Sequence, residues 1–160
     1  MAVKIEGIDK TMAYIRQQAE KRARDYIEVL NRIGLKVVGQ IRTGEVSRWD
    51  DQTGNLRSSI GYIIVDDGMI VKRGGFEKVD GPKRDQSSPD GSAEGQSFAQ
   101  ELASKYPKGY CLIIVAGMEY AAYVEAIENK TVLAGGKLLA EKLHKELCAK
   151  LAAKWDSKTS

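Results

Sequence analysis

The sequence predicts an α+β fold: a long N-terminal helix and a C-terminal helix packed on a small, mainly antiparallel sheet, with a long flexible loop. Two helix-period segments flank a central region of short β-rich runs, and an Asp-Gly pair joins two of those runs. Helices and strands that are segregated in this way, without βαβ alternation, point to α+β. With 160 residues the chain is sized for one domain, residues 1–160.

The first helix is expected over residues 8–41. Met12, Ile15, Ala19, Ala23, Tyr26, Leu30, Ile33, Val37 and Ile41 recur three and four apart, while Arg16, Glu20, Arg24, Glu28 and Arg32 fill the opposite side. Gly34 and Gly39 predict a bend or an early end. Such a helix would extend about 50 Å, so one end should project or meet a partner.

A linker over residues 43–52 leads to Thr53-Gly54-Asn55-Leu56-Arg57-Ser58-Ser59-Ile60, where the glycine permits a sharp turn. Thr53 is placed to cap a short helical segment over 56–59, and Leu56 and Ile60 should point inward. Residues 60–65 and 69–73 read as strands, and Asp66-Asp67-Gly68 is the turn of a hairpin. Residues 74–97 hold five glycines and two of the three prolines, which predicts a flexible loop extending to about 108, with a short helix over 93–105 near its end. Tyr110 to Ala116 is the expected central strand, followed by one or two helical turns over 119–125. The last helix is expected over 137–155, with Leu139, Leu143, Leu147, Leu151 and Trp155 as its face, widened by Leu138, Ala140, Cys148 and Ala152.

Several enzyme-like patterns fail on inspection. Asp90, Ser92, Glu94, Gly95 and Glu101 follow part of a calcium-loop spacing, but positions three, five and eight are wrong and no helix precedes them. Gly135-Gly136-Lys137 lacks both the first glycine and the hydroxyl residue of a phosphate loop. His144 is the sole histidine, so a zinc site has too few ligands. Ser58 and Ser59 lack a base, and Cys111 falls in an expected strand where a thiol is inert. Asp50-Asp51 and Asp66-Asp67 fit caps and turns. No catalytic residue, metal or cofactor is therefore expected, and the chain is read as a non-enzyme.

No apolar run approaches the ~20 residues of a membrane span, and residues 1–10 lack a secretory pattern, so a cytoplasmic setting and reduced cysteines are expected. Acids and bases alternate through most of the chain, and the basic excess of +3 forms no block of like charge. Nucleic acid is accordingly disfavoured as a partner, although a small binding or regulatory module using Arg16, Lys21, Arg22, Arg24 and Arg32 is the second reading. A metal-dependent hydrolase ranks third.

Downstream, Tyr120-Ala121-Ala122-Tyr123-Val124-Glu125 would place Tyr120, Tyr123 and Val124 on one helical face. Local packing accounts for this segment and for the Thr53 turn on chemistry alone. Taken in order, though, the long helix, the Thr53, Gly54, Leu56, Ser59, Ile60 turn, the hairpin, the loop, the strand and Tyr120, Ala121, Tyr123, Val124, Glu125 resemble the tail-completion, or head–tail joining, family of tailed bacteriophages. The resemblance follows most of the chain. It departs where the family continues from the glutamate to Gly-Thr and this chain reads Glu125-Ala126-Ile127-Glu128, and where Lys130-Thr131-Val132-Leu133 replaces a proline-containing approach, which marks a divergent member. The resemblance implies a structural virion-assembly protein at the neck. It would form a ring in contact with other neck, connector or tail proteins, present in the host cytoplasm during assembly and monomeric until it meets its partner.

Overall fold

A computed structural model of the chain describes residues 7–46, 51–84, 87, 89–118, 121 and 132–157. Helix α1 (Ile8–Thr43) leads to a single helical turn, α2 (Asn55–Ser58). Strands β1 (Ile60–Asp66) and β2 (Met69–Gly75) form a hairpin, followed by helix α3 (Gly91–Ala103), strand β3 (Tyr110–Ala116) and helix α4 (Ala134–Asp156). The sheet has the order β2-β1-β3, antiparallel throughout, and the fold is α+β.

The central strand is β1, not the expected Tyr110 to Ala116. It pairs with β2 from Gly61–Gly75 to Asp66–Met69, and with β3 from Ile60–Ala116 to Asp66–Tyr110. Its side chains are buried on both faces. Ile60, Tyr62 and Ile64 join the core under α1 and α4, whereas Ile63 and Val65 join a second core with Phe76, Ala99, Ala103, Ile113 and Val115 under α3. The molecule is therefore three layers: α1 and α4, the sheet, and α3. A continuous apolar run is the signature of a strand covered on both faces, and residues 62–65 have it.

The hairpin turn is as expected. Asp67 and Gly68 both take positive φ (45° and 82°), the geometry of a two-residue primed turn. Asp67 also accepts the Gly109 amide at 2.7 Å, which ties the turn to the start of β3. Register shifts after Ile64–Lys72, leaving Val71 as an extra residue in a bulge on the outer strand.

Neither Gly34 nor Gly39 ends α1, which runs on to Thr43. A Cβ at Gly34 would lie 2.5 Å from the Tyr62 ring, so glycine here lets helix and sheet approach closely. The Tyr62 hydroxyl then donates to Asn31 Oδ1 at 2.7 Å. The apolar row of α1 is buried only from Val29 to Ile41, while Ile8, Met12 and Ile15 are exposed.

Helix α4 runs antiparallel to α1. Gly136 lies against Ile41 and Val37 at one end, and at the other Trp155 Nε1 donates to Asp25 at 3.2 Å with Arg22 stacked over its ring. Leu143 and Leu151 are buried, but Leu138 and Ala152 face solvent and do not widen the face. The segment expected as a flexible loop over 74–108 is largely built: Gly74 and Gly75 belong to β2, residues 76–84 form a hydrogen-bonded strap, and α3 covers the sheet. Among the described residues, no helix is long and apolar enough to cross a membrane.

Candidate functional site

The Thr53 turn is held by hydrogen bonds and by close backbone contacts on two sides. Gly54 sits at φ 82° immediately before α2. The capping group is Asp51 rather than Thr53: its carboxylate accepts the Gly54 and Arg57 amides, both at 2.8 Å. An anionic acceptor outcompetes a hydroxyl for these amides, and Thr53 Oγ1 receives only a long 3.4 Å contact from Asn55 N. Leu56 and Ile60 are buried as expected.

Both serines of the turn are fully buried and structural. Ser58 Oγ donates to Gly54 O at 2.7 Å and accepts the Val79 amide at 2.8 Å, while Ser59 Oγ donates to Leu56 O at 2.8 Å. The strap lies alongside: Gly81 N donates to Thr53 O at 3.0 Å, Lys83 N to Gln52 O at 2.8 Å, and Arg84 to the buried Asn55 at 3.1 Å. Phe76 turns the chain off β2 with φ 56° and sends its ring into the α3 core. Helix α3 closes the other side. A Cβ at Gly91 would sit 2.1 Å from Asn55 O, and one at Gly95 2.3 Å from Ser59 O, so the helix rests directly on the turn's backbone.

Of the second motif, Tyr120, Tyr123, Val124 and Glu125 lie outside the described residues, as does all but Ala121 of the helical segment expected over 119–125. Ala121 is described: it is buried in the same core as Leu56 and Ile60, and its amide donates to Met118 O at 2.9 Å. The residues carrying the resemblance that can be placed thus serve the fold.

Catalytic candidates are not brought together. Asp90 caps α3, accepting Ser92 N at 3.0 Å and Ser92 Oγ at 2.7 Å, and these bonds hold its carboxyl below the usual range. His144 is exposed on α4, with Nε2 3.0 Å from Tyr26 Oη. Cys111 and Cys148 are half-buried free thiols, and burial raises both above the ordinary thiol value. Among the described residues, no three His, Cys, Asp or Glu side chains are grouped to hold a metal.

What sequence reading missed is an apolar end. Met69, Asp66 and Tyr110 lie in one row across the sheet, and exposed Met69, Ile70, Val71, Tyr106 and Tyr110 surround the hairpin tip. Tyr26 packs edge-on against Tyr110 at 5.7 Å, so α1 passes this end and projects beyond it. The projecting arm, residues 8–21, extends about 21 Å at 1.5 Å per residue. It exposes Ile8, Met12 and Ile15 in a row, with Tyr14 on another side. Residues 8–24 hold five basic and two acidic side chains, the whole of the chain's formal +3. The odd spacing 69–71 on a strand whose partner is buried was the available signal.

The chain matches no family model, and comparison with curated proteins and with solved structures yields no similar one.

Proposed function

We propose that the chain is a structural morphogenesis protein of a tailed phage, acting at the neck of the virion, where a ring of subunits completes the tail or joins it to the head. The order of the two motifs along the sequence suggests the family. The observation that carries the reading is the concentration of exposed apolar side chains on the hairpin tip and arm at one end, around a body whose turn, strap and α3 are locked together. Exposed apolar side chains concentrated at one end of a molecule mark an interaction site.

A ring requires two different faces that meet head to tail around a closed axis. The sheet has two distinct outer strands, β2 and β3, on opposite sides. The β2 side carries Met69, Ile70 and Val71, while β3 is bordered by a cleft of about 320 Å³ lined by Tyr26, Tyr110, Cys111 and His144. In this mechanism the hairpin tip of one subunit seats against the β3 side of the next, and assembly is driven by burial of the tip. Function is then surface complementarity, with no bond made or broken. Electron microscopy of assembled particles should place this chain in the neck density. Intact, infectious particles formed without it would refute the proposal.

The second reading, nucleic-acid binding, is favoured by the localisation of the +3 charge on residues 8–24. Against it, Arg22 is stacked on Trp155 and Arg24 faces Glu20, and the basic residues are spread around the helix rather than along one side. A gel shift at low salt separates the two, since phosphate contacts strengthen steeply as salt falls.

A further inference from the structure

The arm carries a two-heptad seam. Ile8, Met12, Ile15 and Ala19 follow the alternating 4-3-4 spacing of coiled-coil core positions, which passes Arg22 and reaches the body at Tyr26, Val29 and Ile33. Within the chain that row is covered by the sheet and α4 up to Tyr26, and α4 ends with Trp155 beside Arg22 and Asp25. From Ala19 outward the seam has no cover among the described residues, although Ile8, Met12 and Ile15 are all large apolar side chains.

We infer that the occupant of this seam is the same arm of a second copy, laid antiparallel over residues 8–19. Three arguments select it. The first is charge. Asp9 and Arg16 flank the seam on one side and Thr11 and Gln18 on the other, so antiparallel pairing sets Asp9 of each copy against Arg16 of the other. The second is fit. With Met12 opposite Ile15 of the partner, Ile8 comes level with the partner's Ala19, just outside the last turn of α4, so the paired arms follow on from the helix pair in each body. The third is exclusion. Parallel arms would bring both bodies to the same side, where the row below Ala19 is already occupied by each chain's own sheet and α4. The contact is isologous, and therefore distinct from the heterologous contact of a ring and independent of that reading. It revises the expectation that the free subunit is a monomer.

Sedimentation of the purified full chain over a range of concentrations tests this. The expected result is a monomer–dimer equilibrium abolished by Met12→Asp with Ile15→Asp, with the thermal midpoint unchanged at concentrations where the parent is monomeric, because both residues are exposed in the single chain. Asp9→Arg alone should weaken the dimer about tenfold by replacing two attractive contacts with repulsive ones, and adding Arg16→Asp should restore it. A monomer at every soluble concentration overturns the inference, as does a dimer that survives the double aspartate variant. Failure of the double charge reversal to restore pairing overturns the antiparallel register.

Discussion

Replacing Gly54 with alanine tests the locked turn at its tightest point. The new Cβ would lie 2.0 Å from Val79 O and 2.7 Å from Gly81 N, both backbone atoms of the strap, on a residue held at φ 82°. Left-handed backbone costs an L-residue about 1–2 kcal/mol. Forcing the strap aside adds about 1–3 kcal/mol of overpacking, the range seen when methylenes are inserted into a packed interior. Alanine also restricts the unfolded chain, which returns about 0.4–1 kcal/mol. The net expectation is a loss of roughly 2–4 kcal/mol, or about 5–15 °C in thermal midpoint for a chain of this size. The strap should loosen with it, because its displacement stretches the Val79–Ser58 and Gly81–Thr53 hydrogen bonds. Urea unfolding followed by far-ultraviolet circular dichroism measures the difference, and limited proteolysis reports on the strap. Gly39→Ala is the control: nothing lies within 4 Å of its Cβ, and glycine-to-alanine in a helix interior should stabilise by about 1 kcal/mol. A Gly54→Ala variant within about 0.5 kcal/mol of the parent, the range of an inconsequential surface change, would falsify the account of the turn.

Ser58→Ala should cost about 1–3 kcal/mol, since it leaves the Val79 amide without its acceptor, and chemical denaturation that finds no loss would remove the serine from the clasp. Stability should hold up to the ordinary thiol value of 9.0 and fall as pH rises further. Burial raises Cys111, Cys148, Tyr26 and Tyr62 in the folded state, so the folded chain retains protons that the unfolded chain has released. A midpoint that rises between pH 9 and 10 contradicts that sign. Lysines at both Met69 and Val71 should leave the thermal midpoint nearly unchanged, because both residues are exposed, yet prevent incorporation into particles. Normal incorporation in a complementation assay argues against the hairpin tip as a subunit contact.

By itself, the sequence determined the elements whose signals are local. The period of α1, the Asp67-Gly68 turn and the inward Leu56 and Ile60 are all decided by residues close together in the chain, and the structure has each of them. It also indicated that a helix of this length must outrun its body. The tertiary structure alone decided which strand is central, because pairing order depends on contacts between segments some 50 residues apart: Tyr110 to Ala116 and residues 60–65 are both apolar runs, and only the partners of each distinguish them. It also turned an apparent loop into a strap and a covering helix. Gly54, Gly81, Gly91 and Gly95 resemble loop residues in composition, yet each is a place where two backbones touch, and a close approach has no signature in the order of residues. The cap of the Thr53 turn was likewise settled in space, where the Asp51 carboxylate takes the Arg57 amide of the segment that Thr53 was expected to cap, and the Gly54 amide with it. The apolar end has the same origin. Met69, Val71 and Tyr110 belong to ordinary strands by sequence, and only the pairing of both outer strands with β1 brings them to the same end of the sheet, uncovered beside the arm.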